Sequence, residues 1–168
     1  MISAIVAVDT NWGIGFDGEL LERIPEDMRH FRGLTENNVV VMGRKTWDSL
    51  PNGALLNRTN VIISSQYIME AFAGDGPLIV KCNMLNCVYG LTNPCDRDIF
   101  IIGGGQIYKQ LLPYCDRVYV TKIHKAYPNV DTYFPVNLDK SSEWRQVETG
   151  EMREYNNITY HFLTYERV

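Results

Sequence analysis

The sequence predicts an α/β fold: a single domain, 1–168, built on a central, mostly parallel twisted sheet of about eight strands. An antiparallel C-terminal strand and about four flanking helices complete it. Three observations predict this. Short, nearly all-aliphatic, β-branched runs recur along the chain, as in strands covered on both faces. Helical patterns and turn signals fall between those runs. The length of 168 residues suits one sizeable core.

In chain order, strands are expected at 2–8, 39–42, 61–63, 78–80, 99–102 and 118–123. Two more, near 144–147 and 159–165, alternate apolar with polar residues and read as an antiparallel addition. Helices are expected from 25 to about 34, with Pro25 at the favoured first position, at 46–50, and at 106–112, stopped by Pro113. The stretch 66–95 holds Gly74, Gly76, Pro77 and Pro94, and reads as loops with one helix.

Hydrophobic residues make up 45% and charged residues 21%, a globular balance. The net charge of −4 argues against a nucleic-acid partner but leaves room for a local cationic cleft. The opening run, Met1 to Asp9, lacks a basic start and is too short for a membrane span, so a cytoplasmic protein without a membrane partner is expected. Cys82, Cys87, Cys95 and Cys115 lack metal-ligand spacing, and His30, His124 and His161 are isolated in sequence, so no metal is expected and the thiols read as reduced and structural.

Three strand ends carry chemistry. Val41-Met42-Gly43-Arg44-Lys45-Thr46 ends a strand at a glycine, then opens a helix with two cations and a hydroxyl. Ile101-Ile102-Gly103-Gly104-Gly105-Gln106-Ile107-Tyr108 places three glycines after an aliphatic strand, where backbone approaches a ligand closely. Ile63-Ser64-Ser65 ends a third strand with two hydroxyls. Together at the carboxyl edge of one parallel sheet, they suit a large, multiply anionic ligand such as NADPH.

Gly13-Ile14-Gly15-Phe16-Asp17-Gly18 matches the dinucleotide fingerprint, but Pro25 arrives before a crossover helix could form. A mobile loop over a site is expected instead. Asp27 lies on the apolar stripe of its helix with Ile24, Met28, Phe31 and Leu34. Two readings of it are open. A helix N-terminus would lower its pKa, whereas burial in an apolar pocket would raise it.

Taken together, these residues resemble the dihydrofolate reductases of bacterial type. The resemblance rests on Met1-Ile2-Ser3-Ala4-Ile5-Val6-Ala7, Gly13-Ile14-Gly15, Ile24-Pro25-Glu26-Asp27-Met28 with Phe31, and Val41 to Trp47. Arg58, Ile63-Ser64-Ser65, Ile102 to Tyr108 and Asp131-Thr132-Tyr133-Phe134-Pro135 complete it. It implies a dihydrofolate-reductase-like fold, a monomer, NADPH as cofactor, dihydrofolate as substrate and antifolates as inhibitors.

By that resemblance, Asp27 would bind the 2-amino group and N3 of the pterin and support protonation at N5, with Thr121 in the same network. Ile5 and Ile102 would offer carbonyls, Met28, Phe31 and Leu50 would pack on the rings, and Arg58 with Arg32 would take the glutamate carboxylates. Ala7 and the loop from Gly13 through Ile14 and Gly15 to Glu19 would hold the nicotinamide. Arg44, Ser65 and Lys81, with Ser64 beside them, would surround the 2′-phosphate. Lys45, Thr46, Gly103, Gly104 and Gly105 would hold the pyrophosphate, and Gly43, Gln106, Ile107 and Tyr108 are further cofactor-binding positions. A cis Gly103–Gly104 peptide is implied as well.

Two departures stand out. Bacterial relatives usually carry a Pro-Trp pair before this helix; here Leu21 and Glu22 stand there. If Glu22 faces the site, it should raise the pKa of Asp27 by like-charge repulsion. Gln106 stands where many relatives carry a basic residue. A same-fold reductase of riboflavin synthesis and a non-catalytic folate- or nucleotide-binding protein remain alternatives.

Overall fold

The computed structural model of the chain describes residues 1–93 and 96–168, so Pro94 and Cys95, named above, lie outside it. Strand β1 is Ile2–Val8. A hairpin of β2 (Gly13–Phe16) and β3 (Glu19–Leu20) follows. Its two-residue turn is Asp17-Gly18, with φ of 50° and 77°, the left-handed pair that matches strand twist. Helix α1 (Pro25–Thr35) has Ile24 at its N-cap and no side-chain cap. Then come β4 (Val39–Gly43), α2 (Arg44–Ser49), β5 (Thr59–Ile63), β6 (Met69–Phe72) and β7 (Ile79–Cys82). Helix α3 (Met84–Leu91) is capped by the Asn83 side chain, which accepts from Asn86 N–H. It leads to β8 (Ile99–Gly103), α4 (Gly105–Leu111), β9 (Arg117–Ile123) and β10 (Thr132–Tyr133). The chain ends with β11 (Trp144–Thr149), β12 (Arg153–Tyr155) and β13 (Ile158–Arg167).

Ten of these strands make one sheet in the order β11-β13-β9-β1-β8-β4-β5-β7-β6, with β12 on β13. The pairs from β9 across to β7 are parallel, whereas β13 is antiparallel to both β9 and β11. The eight expected strands are all present. The edge strands β6 and β12 are additional, and β10-β2-β3 forms a separate small sheet. β12 escaped the reading because its hairpin turns on Asn156-Asn157, both at positive φ, without a glycine to mark it.

Alternation along the strands divides the core. Ala4, Val6, Val8, Val39, Val41 and Ile101 face α3 and α4, packing with Cys87, Leu91, Ile107 and Leu111. Ile5, Val40, Met42, Ile62 and Phe100 face the other way, toward Phe31 and Leu34 of α1 and Trp47 of α2. Helices on both faces are what the unbroken aliphatic runs require. Cys82, Cys87 and Cys115 are buried free thiols within this core. No helix among the described residues is long and apolar enough to cross a membrane.

Candidate active site

Because β8, β4 and β5 are adjacent and parallel, the three signals at their carboxyl ends meet on one edge. Gly43 pairs with Ile63, and Met42 with Gly103. The turns touch: a Cβ on Gly43 would lie 2.9 Å from Cγ1 of Ile107 and 3.9 Å from the Gly104 nitrogen. Thr46 Oγ1 lies 3.6 Å from where a Gly104 Cβ would stand. Only glycine fits at 43, and the Thr46 hydroxyl is brought beside the start of α4. The Gly103–Gly104 peptide is cis, as the resemblance implies. Arg44 and Lys45 are exposed at the start of α2, Arg44 loosely paired with Asp48 at 3.6 Å. Ser65 is exposed, while the Ser64 hydroxyl accepts from Gln66 N–H. Lys81 stands 5.4 Å from the centroids of both Tyr67 and Phe72. Gln106 is exposed at the start of α4.

The side chains of Ile107 and Tyr108 turn into the core, and both N–H groups donate to the Gly104 carbonyl, so they brace the glycine turn. Tyr108 does something else as well: its buried hydroxyl donates to the Ile5 carbonyl at 2.7 Å.

That carbonyl marks a cleft in the sheet. β1 pairs with β9 as far as Val8, but with β8 only as far as Ala4 opposite Ile101. Beyond this point β1 and β8 part. The β4–β8 register also skips Ile102. Ile5 and Ala7 therefore have no register partner on β8, and Ile102 has none on β1 or β4. Phe31, Leu50 and Ile102 pack against the core cluster that contains Ile5 and form an apolar wall. Met28 leaves 38% of its surface open.

Asp27 closes the other wall. It is 9% exposed, on the third residue of α1, and Thr121 of β9 donates to its Oδ1 at 2.5 Å. Burial pushes the Asp27 carboxyl above the usual carboxylate range, and the Thr121 hydrogen bond partly opposes that shift. Of the two readings of Asp27, burial wins. The outcome is a carboxyl that gives up its proton at higher pH than an ordinary one, beside an apolar cleft. Glu22 is not what raises it: its Oε2 accepts from the Tyr127 hydroxyl at 2.8 Å, so it is turned toward the loop after β9.

Arg58 closes the outer end. Its Nε donates to the Leu56 carbonyl and its Nη1 to Thr35 Oγ1 at 3.1 Å, with the guanidinium 6.0 Å from the Phe31 ring. Two bonds fix its plane and leave three N–H groups for an anion. Arg32 is exposed and pairs with Glu36 at 3.3 Å. At the inner end the β2–β3 hairpin bonds to Asp131, just before β10. Asp17 N–H donates to Asp131 at 2.9 Å, and Asp131 N–H to the Gly15 carbonyl. Asp9, 1% exposed, accepts from the N–H of Asn11, Gly13 and Tyr127. Ile14 packs against the core, and Glu19 pairs with Arg23.

A family model described as dihydrofolate reductase matches residues 1–167. The chain belongs to the dihydrofolate reductase family. The dihydrofolate reductase of Bacillus subtilis is 37% identical over 99% of this chain and 95% of its own. That of Mycobacterium tuberculosis is 38% identical over 99% and 98%. A dihydrofolate reductase from Enterococcus faecalis, solved with NADP(H) and RAB-propyl, superposes with a TM-score of 0.81 at 30% identity, covering 99% of this chain and 96% of that one. Within this dihydrofolate reductase, Tyr108 as a cap on Ile5 and Asp131 as a tether for the hairpin escaped the sequence reading. Neither contact has a local signal, since their partners lie 103 and 114 residues away.

Proposed function

We propose that this enzyme reduces 7,8-dihydrofolate to 5,6,7,8-tetrahydrofolate at the expense of NADPH, in the cleft between β1 and β8. The observation that carries the reading is Asp27: a buried carboxyl bonded to Thr121, at the wall of a cleft lined by Ile5, Phe31, Leu50 and Ile102. Such a group matches an N–C–NH₂ edge, to which it offers two parallel hydrogen bonds in fixed orientation. The pterin presents that edge through N3 and its 2-amino group, as do antifolates built on the same amidine pattern. Arg58, assisted by Arg32, then receives the glutamate carboxylates where the cleft opens.

The residues present fit NADPH. Cations at Arg44, Lys45 and Lys81 and hydroxyls at Thr46, Ser64 and Ser65 surround the carboxyl ends of adjacent strands. Gly104 leaves the backbone open beside the Thr46 hydroxyl, while Gly103 and Gly105 lie close against Tyr108 and Thr132. Ala7 and the Gly13–Phe16 strand stand where the nicotinamide would meet the pterin. Bound there, the cofactor supplies the hydride that adds to pterin C6. The chain's own task is alignment and protonation. Asp27 holds a proton to higher pH than an ordinary carboxyl, and through N3 it makes N5 the more basic. The apolar wall excludes water from the reacting ring. We read the enzyme as a cytoplasmic monomer, in keeping with its buried free thiols.

The test is the absorbance at 340 nm when native protein meets NADPH and dihydrofolate, beside Asp27→Asn. Rapid loss with the native chain and a large drop for the variant are expected. No loss from native protein that still binds NADPH would overturn the reading.

A further inference from the structure

We propose that Glu26 is a positioning residue for this reaction: gripped by Tyr160 and Arg153, it clamps the first turn of α1 to β12 and β13 and so holds its neighbour Asp27 against Thr121. The inference rests on the folate-reducing reading of the site above.

Helix α1 packs Phe31 and Leu34 on the sheet, with Ile24 buried at its N-cap, and polar bonds fix its ends. It begins without a side-chain cap, behind Ile24 and Pro25. Among the described residues its two buried side chains, Asp27 and Thr35, are both polar. Its outer face rests on a His30–Phe162 stack at 4.1 Å, beside a groove of about 580 Å³ that also borders Glu26, Leu34 and Arg153. A helix flanked by such a groove is located by discrete bonds as much as by close packing.

Those bonds lie at its two ends. At the far end, Arg58 holds Thr35. At the near end there is a double clamp. Asp27 bonds Thr121 on β9, and Glu26 bonds Tyr160 on β13, where the hydroxyl donates to Oε2 at 2.5 Å. The other oxygen, Oε1, is taken by Arg153. The two receiving strands are themselves paired, Tyr160 opposite Ile123 and Thr121 opposite Phe162. Consecutive helix residues therefore grip neighbouring strands of one rigid sheet. Tyr160 is 1% exposed, and burial followed by Glu26 pushes its hydroxyl up to about 12, so it stays a donor at neutral pH. Losing this bond leaves Thr121 as the side-chain bond at this end of the helix, and a small misplacement at a reacting centre is costly in rate.

The groups around Asp27 are few. Thr121 faces it from β9, Tyr108 from α4 and Tyr160 from β13, and both tyrosines sense its charge. Glu26 adjoins it on α1, with Arg153 of β12 behind; Glu22 is engaged with Tyr127. Removing the Tyr160 hydroxyl acts on Asp27 in one direction. It loosens the Thr121 bond, the one influence that holds the Asp27 pKa down, and so raises it.

The experiment is Tyr160→Phe, with Arg153→Met as the variant that spares the core. Two readouts are taken: a ¹³C NMR titration of the Asp27 carboxyl in ligand-free protein, and the pH profile of hydride transfer. In Tyr160→Phe the Asp27 titration is expected to move to higher pH and hydride transfer to slow about tenfold. Arg153→Met should move both the same way by less, and Glu26→Gln, which still accepts from Tyr160, should recover most of the rate lost in Glu26→Leu. If the variants merely lose stability while titration and profile stay put, Glu26 is structural and the inference fails. If native protein does not reduce dihydrofolate, the functional reading fails, and the titration still decides the clamp.

Discussion

The Thr121 hydroxyl and Asp27 Oδ1 lie 2.5 Å apart, joining residues 94 positions distant in sequence. This bond partly offsets the cost of burying a carboxyl that must remain able to ionise. The folded-state pKa of Asp27 is raised, so between the ordinary carboxylate range and that value the folded protein binds a proton that the unfolded chain does not. Stability is therefore lost as pH rises through that window. Asp27→Asn should be more stable than native at neutral pH, by about 0.5–2 kcal/mol. The gain should vanish below the ordinary carboxylate range, where Asp is neutral in both states. Activity should fall about 10²–10⁴-fold. Urea melts at the two pH values, with turnover beside them, check all three outcomes.

Thr121→Val removes the one bond that lowers the Asp27 pKa while keeping the volume. The alkaline fall of hydride transfer should move to higher pH. A profile that stays in place would mean that Asp27 is not the group titrating.

Arg44 is exposed beside the glycine turns, paired with Asp48 at 3.6 Å. Arg44→Leu should weaken NADPH binding about 10–100-fold, the usual size of a charge-assisted contact, and NADH binding far less. Fluorescence titration with both cofactors measures it; equal losses would remove Arg44 from the 2′-phosphate.

Gly43→Ala would drive a Cβ to 2.9 Å from Ile107. The turns at Gly43 and Gly104 must then separate, at a cost of about 1–3 kcal/mol. NADPH affinity should fall with stability. Thermal melts with and without NADPH test this, and a variant with unchanged melts would show that the turns yield freely.

Glu22→Gln should leave the pH profile where it is, since Glu22 is occupied by Tyr127 and burial is what raises Asp27. The expected loss is below about 1 kcal/mol of stability, the worth of one hydrogen bond. A shifted profile would bring Glu22 into the field of Asp27 after all.

What the sequence determined by itself is what local pattern and chain order encode. Aliphatic runs gave the parallel strands, Pro25 the start of α1, and glycines after strands the turns at 43 and 103–105. Turn chemistry was legible too, though Asp17-Gly18 was read as a loop when its residue pair marks a hairpin. The family followed from the order and spacing of these pieces. Tertiary structure alone decided everything that depends on distant neighbours. It brought His124 and His161, isolated in sequence, to 2.8 Å of one another. It turned Ile107 and Tyr108 inward, turned Glu22 to Tyr127, and pinned Glu26 to Tyr160. It also chose between the two protonation readings of Asp27. A helix position fixes only the nearby backbone dipoles, whereas desolvation sums over every group the fold packs around the carboxyl, and those come from strands nearly a hundred residues away.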